Sequence, residues 1–201
     1  MAAPSTMSDL YAYNFNLEIC NFMSQLKDPM LALGVGKSFL HELAREGDTL
    51  SAELVISAGA SVNQPDEEGR RPLHEAAAAG QLEMVDLLLK NGALIDAPIH
   101  PFGHTALWLA VQAGKKEVVQ YLLEKGARIS VADSLSGQGL LHQAALYGDM
   151  IMAGVLIAAG IDVLHQDKRG QTARDLAIRN GHRSLEAVLK KVMEHHARYY
   201  A

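Results

Sequence analysis

Apolar residues recur along most of the chain at the spacing of short amphipathic helices. Leu82, Val85, Leu88 and Leu89 place one apolar stripe on a helix. Upstream of this helix, residues 71–80 are rich in alanine, with a proline in the first turn and a glycine at the end. The pattern predicts two short helices joined by a tight turn. Such a pair cannot bury its apolar stripe alone, so we expect neighbours of the same kind.

Glycines show that this unit repeats every 33 or 34 residues. One series ends each first helix, a second series ends each second helix, and a third opens each unit at a turn. In that order, the series are Gly47, Gly80, Gly114, Gly148 and Gly181; then Gly59, Gly92, Gly126 and Gly160; then Gly36, Gly69, Gly103, Gly137 and Gly170. Alanines precede the first series by four positions, at Ala76, Ala110, Ala144 and Ala177. Such small side chains indicate that the first helices pack closely against one another.

The period divides most of the chain into five units. Their boundaries are 36–68, 69–102, 103–136, 137–169 and 170–196. In the last unit Met193 replaces the glycine that would end the second helix, so this helix should run on, as a terminal capping unit needs.

The segments outside the repeats carry separate expectations. Residues 8–35 lack the period but contain an amphipathic pattern, roughly Asn16 to Lys27, which we expect to form an N-terminal capping helix. We expect residues 1–7 to be a disordered N-terminus or a tag remnant, and residues 197–201 to be a C-terminal tail.

The second unit carries the most specific motif. Its string Arg71-Pro72-Leu73-His74-Glu75-Ala76 resembles the Thr-Pro-Leu-His-x-Ala signature of the ankyrin-repeat family. Residues 86–93 resemble the family's segment that leads from the end of the second helix into the following turn. The resemblance extends over about four-fifths of the chain. It implies an all-α ankyrin-repeat solenoid of helix-turn-helix units with β-turn tips.

The resemblance also implies a role for the signature histidines. His41, His74 and His142 should tie neighbouring turns together by hydrogen bonds. In the third unit Trp108 occupies this position, and an indole cannot accept a hydrogen bond. Trp108 therefore either packs between units or presents its indole to a partner.

Composition and charge restrict the class of partner. The formal net charge is −5 and there is no run of Lys or Arg, so neither nucleic acid nor an anionic membrane is the expected partner. Cys20 is the single cysteine, which rules out an internal disulfide and favours a reducing compartment. We therefore expect a protein partner and an intracellular, cytoplasmic location, with the oligomeric state left open.

No group of residues supports catalysis. The string at 34–38 resembles the end of a phosphate-binding loop, but Leu31 stands where that loop requires a glycine. His195 and His196 are adjacent, so on a helix they point about 100° apart and suit one metal ion poorly. Cys20 has no His or Asp at a recognisable spacing. We expect no enzymatic activity, no cofactor and no metal.

The resemblance places partner binding in a concave groove lined by the tips and the first helices. The predicted contact residues are Glu75, Pro98, Ile99, His100, Phe102, Trp108, Leu109, Gln112, Asp133, Leu135, Gln143, Leu146 and Tyr147. Along this surface the first two units are acidic and the middle is apolar and aromatic. The expected function is a non-catalytic protein–protein interaction module. The alternatives are a self-associating scaffold or assembly factor, and a fragment or regulatory part of an enzyme or toxin.

The turn between the second and third units departs from the family pattern. Family tips are typically polar, whereas this one contains Pro98, Ile99, Pro101 and Phe102. Prolines lower the ordering cost of binding, so we expect an exposed, rigid, apolar tip. The alternative is that Ile99 and Phe102 only fill the gap created by a unit one residue longer.

Overall fold

The computed structural model describes residues 39–200, which form five consecutive helix pairs. The pairs are α1 Phe39–Glu46 with α2 Thr49–Ser57, α3 Pro72–Ala79 with α4 Leu82–Lys90, α5 Ala106–Gln112 with α6 Lys116–Glu124, α7 Leu140–Tyr147 with α8 Met150–Ala158, and α9 Ala173–Arg179 with α10 Arg183–Tyr200. Each first helix packs against the first helix of the next pair, and α2, α4, α6 and α8 form a second row. The structure confirms the all-α helical solenoid.

The two rows of helices divide the core between small and large side chains. The four alanines of the repeat are buried along the row of first helices. The second helix of every unit carries a larger side chain at one shared position, and these residues, Val55, Leu88, Leu122, Leu156 and Leu189, are also buried. Small residues let the first helices approach closely, and the larger ones fill the space behind them.

The first helices end where the glycines predict. Gly80 ends α3 in the left-handed conformation, at φ +87°. A Cβ at this residue would lie 2.8 Å from the side chain of Lys115 in the next unit. The backbone conformation therefore favours glycine, and a Cβ would also require the flexible Lys115 side chain to move.

Polar contacts join the two helices of the fifth unit. Arg174 donates hydrogen bonds through Nε and an Nη to Glu186 Oε1 at 2.9 and 2.7 Å, which links α9 to α10. Leu185 and Leu189 anchor α10 in the core. The helix continues to Tyr200, so most of the segment expected to be a tail is helical.

Several expectations lie outside the described residues: those for residues 1–7, for the capping helix within 8–35, for Cys20 and for the string at 34–38. Within residues 39–200, no helix has the length and apolar character needed to cross a membrane. The same residues contain no group of three or more His, Asp or Glu side chains that could hold a metal ion.

Candidate functional site

Four tight turns, one between each pair of successive units, form a row of tips. We number them tip 1 (66–70), tip 2 (99–104), tip 3 (133–138) and tip 4 (167–171). In each tip the first residue donates its backbone N–H to the carbonyl of the last residue, at 2.7 to 2.9 Å. The tips and the exposed positions of the first helices together form the surface that we call the groove.

Three tips begin with an aspartate that holds the turn from inside. In tip 1, Asp66 Oδ1 accepts the backbone N–H groups of Glu68 and Arg70 at 3.0 and 2.8 Å. Asp133 and Asp167 do the same in tips 3 and 4. This side-chain hydrogen bonding is the Asx-turn that favours aspartate in tight turns.

Tip 2 begins with Ile99, which cannot make these bonds. Its side chain is only 8% exposed and belongs to the core, so the expectation that Ile99 is part of an exposed tip is wrong. The burial agrees with the gap-filling alternative for this residue. Phe102, by contrast, remains 39% exposed at the same tip.

Hydrogen bonds join tips 2, 3 and 4 into one strip. Ser134 donates its backbone N–H to the carbonyl of Phe102 at 2.8 Å. Lys168 donates its backbone N–H to the carbonyl of Ser136 at 2.9 Å and its Nζ to that of Ser134 at 2.6 Å. Any residue exposed on this strip therefore has a defined position.

The signature histidines tie neighbouring turns together. His74 Nδ1 accepts the backbone N–H of Arg71 at 2.9 Å, so the ring proton is on Nε2, which donates to the carbonyl of Ala97 at 2.9 Å. His142 makes the equivalent contacts with Gly139 and Gln171, and His41 Nε2 lies 3.0 Å from the carbonyl oxygen of Arg70. The structure confirms the role that the resemblance implied for these residues.

Burial makes two of the signature histidines, His74 and His142, poor bases. Desolvation lowers the pKa of His74 to about 4, with smaller opposing and reinforcing effects from Ala97 and the charges of Arg71 and Arg70. Burial also lowers the pKa of His142. The neutral imidazole is the form that can accept a hydrogen bond at Nδ1, so the folded structure and the protonation state agree.

Trp108 holds the third unit in a different way. Its ring stacks on His104 with centroids 4.6 Å apart and planes 5° apart, and His104 stacks on Phe102 at 5.4 Å. The side chain is 1% exposed, and Nε1 has no hydrogen-bond partner. Of the two alternatives for Trp108, its burial and its stack on His104 agree with packing rather than with presentation of the indole to a partner.

His104 provides the connection to tip 3 that Trp108 cannot make. Its Nε2 lies 2.9 Å from Asp133 Oδ2. Burial would raise the pKa of Asp133, but hydrogen bonds from Ser136 and His104 outweigh it, so the pKa lies below its ordinary value. Asp133 is therefore a carboxylate that holds its own tip and the neighbouring aromatic stack.

The structure divides the predicted contact residues by exposure. The exposed ones are Pro98, His100, Phe102, Gln112, Leu135 and Tyr147; Asp133 and Leu146 are half-buried; Glu75, Ile99, Trp108, Leu109 and Gln143 are buried. A buried side chain cannot contact a partner in this conformation, so the last five support the surface without forming it. Leu135 and Tyr147, 62% and 60% exposed, are its most accessible apolar groups.

One apolar surface was not predicted from the sequence. On α8 the residues that face solvent are Met150, Ile151, Gly154 and Ala158, and no residue of this helix is charged. The second helices α4 and α6, by contrast, carry Glu and Lys among their residues. The absence of charge in residues 150–158 is the feature of the sequence that indicates this surface.

Comparison with known proteins agrees with this architecture. A sequence model of ankyrin repeats, in three copies, matches residues 10–99 and 40–133, which together cover more than half of the chain. The chain belongs to the ankyrin-repeat family. Ankyrin repeats are generally protein-interaction modules, and family members are typically non-catalytic.

Similar ankyrin-repeat segments occur in much larger proteins. The chain is 32% identical over 143 residues (71% of the chain) to Neurogenic locus notch homolog protein 1 of Homo sapiens, and 30% identical over 218 aligned positions (92% of the chain) to Potassium channel AKT1 of Arabidopsis thaliana. It is 38% identical over 160 residues (80% of the chain) to the Transient receptor potential cation channel subfamily A member 1 homolog of Caenorhabditis elegans. The matches span only 6%, 24% and 10% of these relatives' own lengths.

Proposed function

We propose that this ankyrin-repeat chain is a non-catalytic interaction module that binds a protein partner in the groove, across the second to fourth units. One observation carries the proposal: Phe102, Leu135 and Tyr147 are exposed apolar groups at the groove. Phe102 and Leu135 lie on tips joined by backbone hydrogen bonds, so little ordering is required when a partner binds. Apolar and aromatic anchors surrounded by polar groups are the usual composition of binding hot spots.

We also propose an intracellular, cytoplasmic location, which the single cysteine supports.

The test compares partner capture by two matched variants. Leu135→Glu with Tyr147→Ala changes two exposed apolar residues of the groove. Leu94→Glu with Ile151→Ala changes two residues of similar exposure on the second-helix side. We expect the first variant to lose at least about 90% of the partner recovered from cell lysate, because truncation of a hot-spot residue costs on the order of 2 to 4 kcal/mol.

The control variant should capture the partner as the original chain does, with both far-UV circular dichroism spectra unchanged. Full capture by the groove variant would overturn the proposal. Loss confined to the control variant would move the contact to the second-helix side.

A self-associating scaffold is the second candidate, and the uncharged face of α8 favours it. Exposed apolar surface on a folded protein is often covered by another chain. Sedimentation velocity over a wide concentration range tests this candidate. A concentration-dependent dimer that Ile151→Glu abolishes would support self-association, and a monomer at all concentrations would exclude it.

A further inference from the structure

The row of tips changes charge from one end of the groove to the other. Tip 1 exposes Glu67 and Glu68, tip 2 exposes Pro101 and Phe102, tip 3 exposes Ser134 and Leu135, and tip 4 exposes Lys168 and Arg169. The tips stand in chain order because each packs beside the next. The order along the groove is therefore acidic, apolar, apolar and basic.

The first helices strengthen the same polarity. In the first two units, α1 and α3 carry Glu42, Glu46 and Glu75 against the single Arg45, and Arg71, the residue before α3, offsets part of this acidic charge. At the other end, Arg179 is exposed in the last turn of α9, where Leu146 and Gln112 stand in the two preceding units. The apolar residues of the middle thus lie between a surplus of carboxylates and a surplus of guanidinium and ammonium groups.

Ion pairs within the chain do not cancel this difference. Arg70 lies 3.2 Å from Glu68 and 3.5 Å from Glu75, and Arg45 pairs with Glu42. Glu46 and Glu67 make no ion pair with another described residue. At the basic end, Lys168 and Arg179 donate to neutral oxygens of Ser134 and Gln171, and at the acidic end Arg71 likewise donates to backbone carbonyls. Tip 1, Arg71, α1 and α3 together still hold six carboxylates against three guanidinium groups, whereas tip 4 and α9 hold four basic side chains against two carboxylates.

We infer that the groove binds an extended polypeptide segment with a basic end, an apolar centre and an acidic end, its basic end lying over the first two units. The inference rests on the proposed function and specifies the partner's chemistry. Successive first helices within one row pack about 8 to 10 Å apart, so tips 1 to 4 span about 30 Å. An extended chain rises about 3.3 Å per residue, so about nine residues cover this distance.

Synthetic peptides provide the test, with binding measured by fluorescence anisotropy at low ionic strength. The first peptide, about twelve residues long, has three lysines at one end, leucine and tyrosine in the centre, and three glutamates at the other end. It is made in both directions, because the side-chain pattern does not set the chain direction. The control peptide has the same composition with the charges scrambled. We expect one direction of the split peptide to bind at least about tenfold more tightly than the scrambled peptide, and to lose this advantage in high salt.

Charge-reversal variants locate the two ends. Glu46→Lys with Glu67→Lys makes both ends of the groove basic, and should reverse the preference in favour of a peptide with glutamates at both ends. Arg169→Glu with Arg179→Glu makes both ends acidic, and should favour a peptide with lysines at both ends. Each change of preference should be about tenfold at low salt.

Three results would overturn the inference: equal affinity for split and scrambled peptides, unchanged preference in both variants, or no binding of any peptide. A second copy of this chain as the occupant would appear as dimers that either charge reversal weakens. None of these outcomes would by itself overturn the proposed function, which fails only if the Leu135 and Tyr147 variant retains full capture.

Discussion

The second and third units differ at the position that connects each unit to the next turn. In the second unit His74 makes two hydrogen bonds, to Arg71 and Ala97, from a buried neutral ring. In the third unit Trp108 makes no side-chain hydrogen bond and instead stacks on His104. The same backbone arrangement is therefore stabilised in one unit by polar contacts and in the next by aromatic packing.

The difference shows which parts of the repeat motif can be replaced. Trp108 can replace histidine because His104 takes over the link to the next tip and Thr105 caps the helix by a different hydrogen bond. Thr105 caps α5 through its hydroxyl, which accepts the backbone N–H of Trp108 at 3.3 Å, and His104 reaches Asp133 in the next tip. The third unit thereby gains a rigid aromatic stack directly behind Phe102, a candidate contact residue.

The largest expected effect comes from removing the indole. Trp108→Ala should lower the free energy of unfolding by about 3 to 5 kcal/mol, because it removes a fully buried aromatic side chain. Trp108→Phe should cost much less, since it keeps an aromatic ring beside His104 and removes an N–H group that has no partner. Urea unfolding measures both changes. A Phe variant as unstable as the Ala variant would show that the indole N–H is important, against the packing interpretation.

The second unit should respond to pH through His74, which the third unit replaces by Trp108, a residue that does not titrate. The pKa of His74 is about 4 in the folded chain and ordinarily 6.5, so the unfolded chain takes up the proton first as the pH falls. The contribution of His74 to stability is complete above pH 6.5 and is lost as the pH falls towards 4. The loss reaches about 3 kcal/mol, and His142 adds to it in the same direction.

Unfolding experiments between pH 7 and pH 4.5 measure this slope. His74→Gln should reduce the dependence of the unfolding free energy on pH to the part due to His142. Trp108→Phe should leave this dependence unchanged. If His74→Gln has the slope of the original chain, the acid sensitivity arises elsewhere.

A smaller effect should follow from breaking the stack at its centre. His104→Ala removes the ring between Phe102 and Trp108 together with the contact to Asp133, and should cost about 1 to 2 kcal/mol. His104→Phe retains the stack alone and should recover part of that loss. The two unfolding free energies separate the aromatic from the polar contribution. Equal values for both variants would assign the whole effect to Asp133.

Much of the fold could be predicted from the sequence, because each repeat uses local features. Pro72 and Gly80 mark the ends of α3 through their own backbone preferences, and the alanine positions depend only on the spacing between helices. Less of the candidate site could be predicted. Ile99 and Leu109 have apolar side chains in a segment where exposure was plausible, and only packing between units shows that both are buried.

The sequence by itself determined the period and the helix pairs. These features follow from backbone geometry and from apolar spacing within a few turns of chain. Tertiary structure decided the exposure of each side chain and the replacement of the histidine contact by the stack on His104. These features depend on residues about 30 positions apart that meet only when the units stack, and no pattern along one unit contains that information.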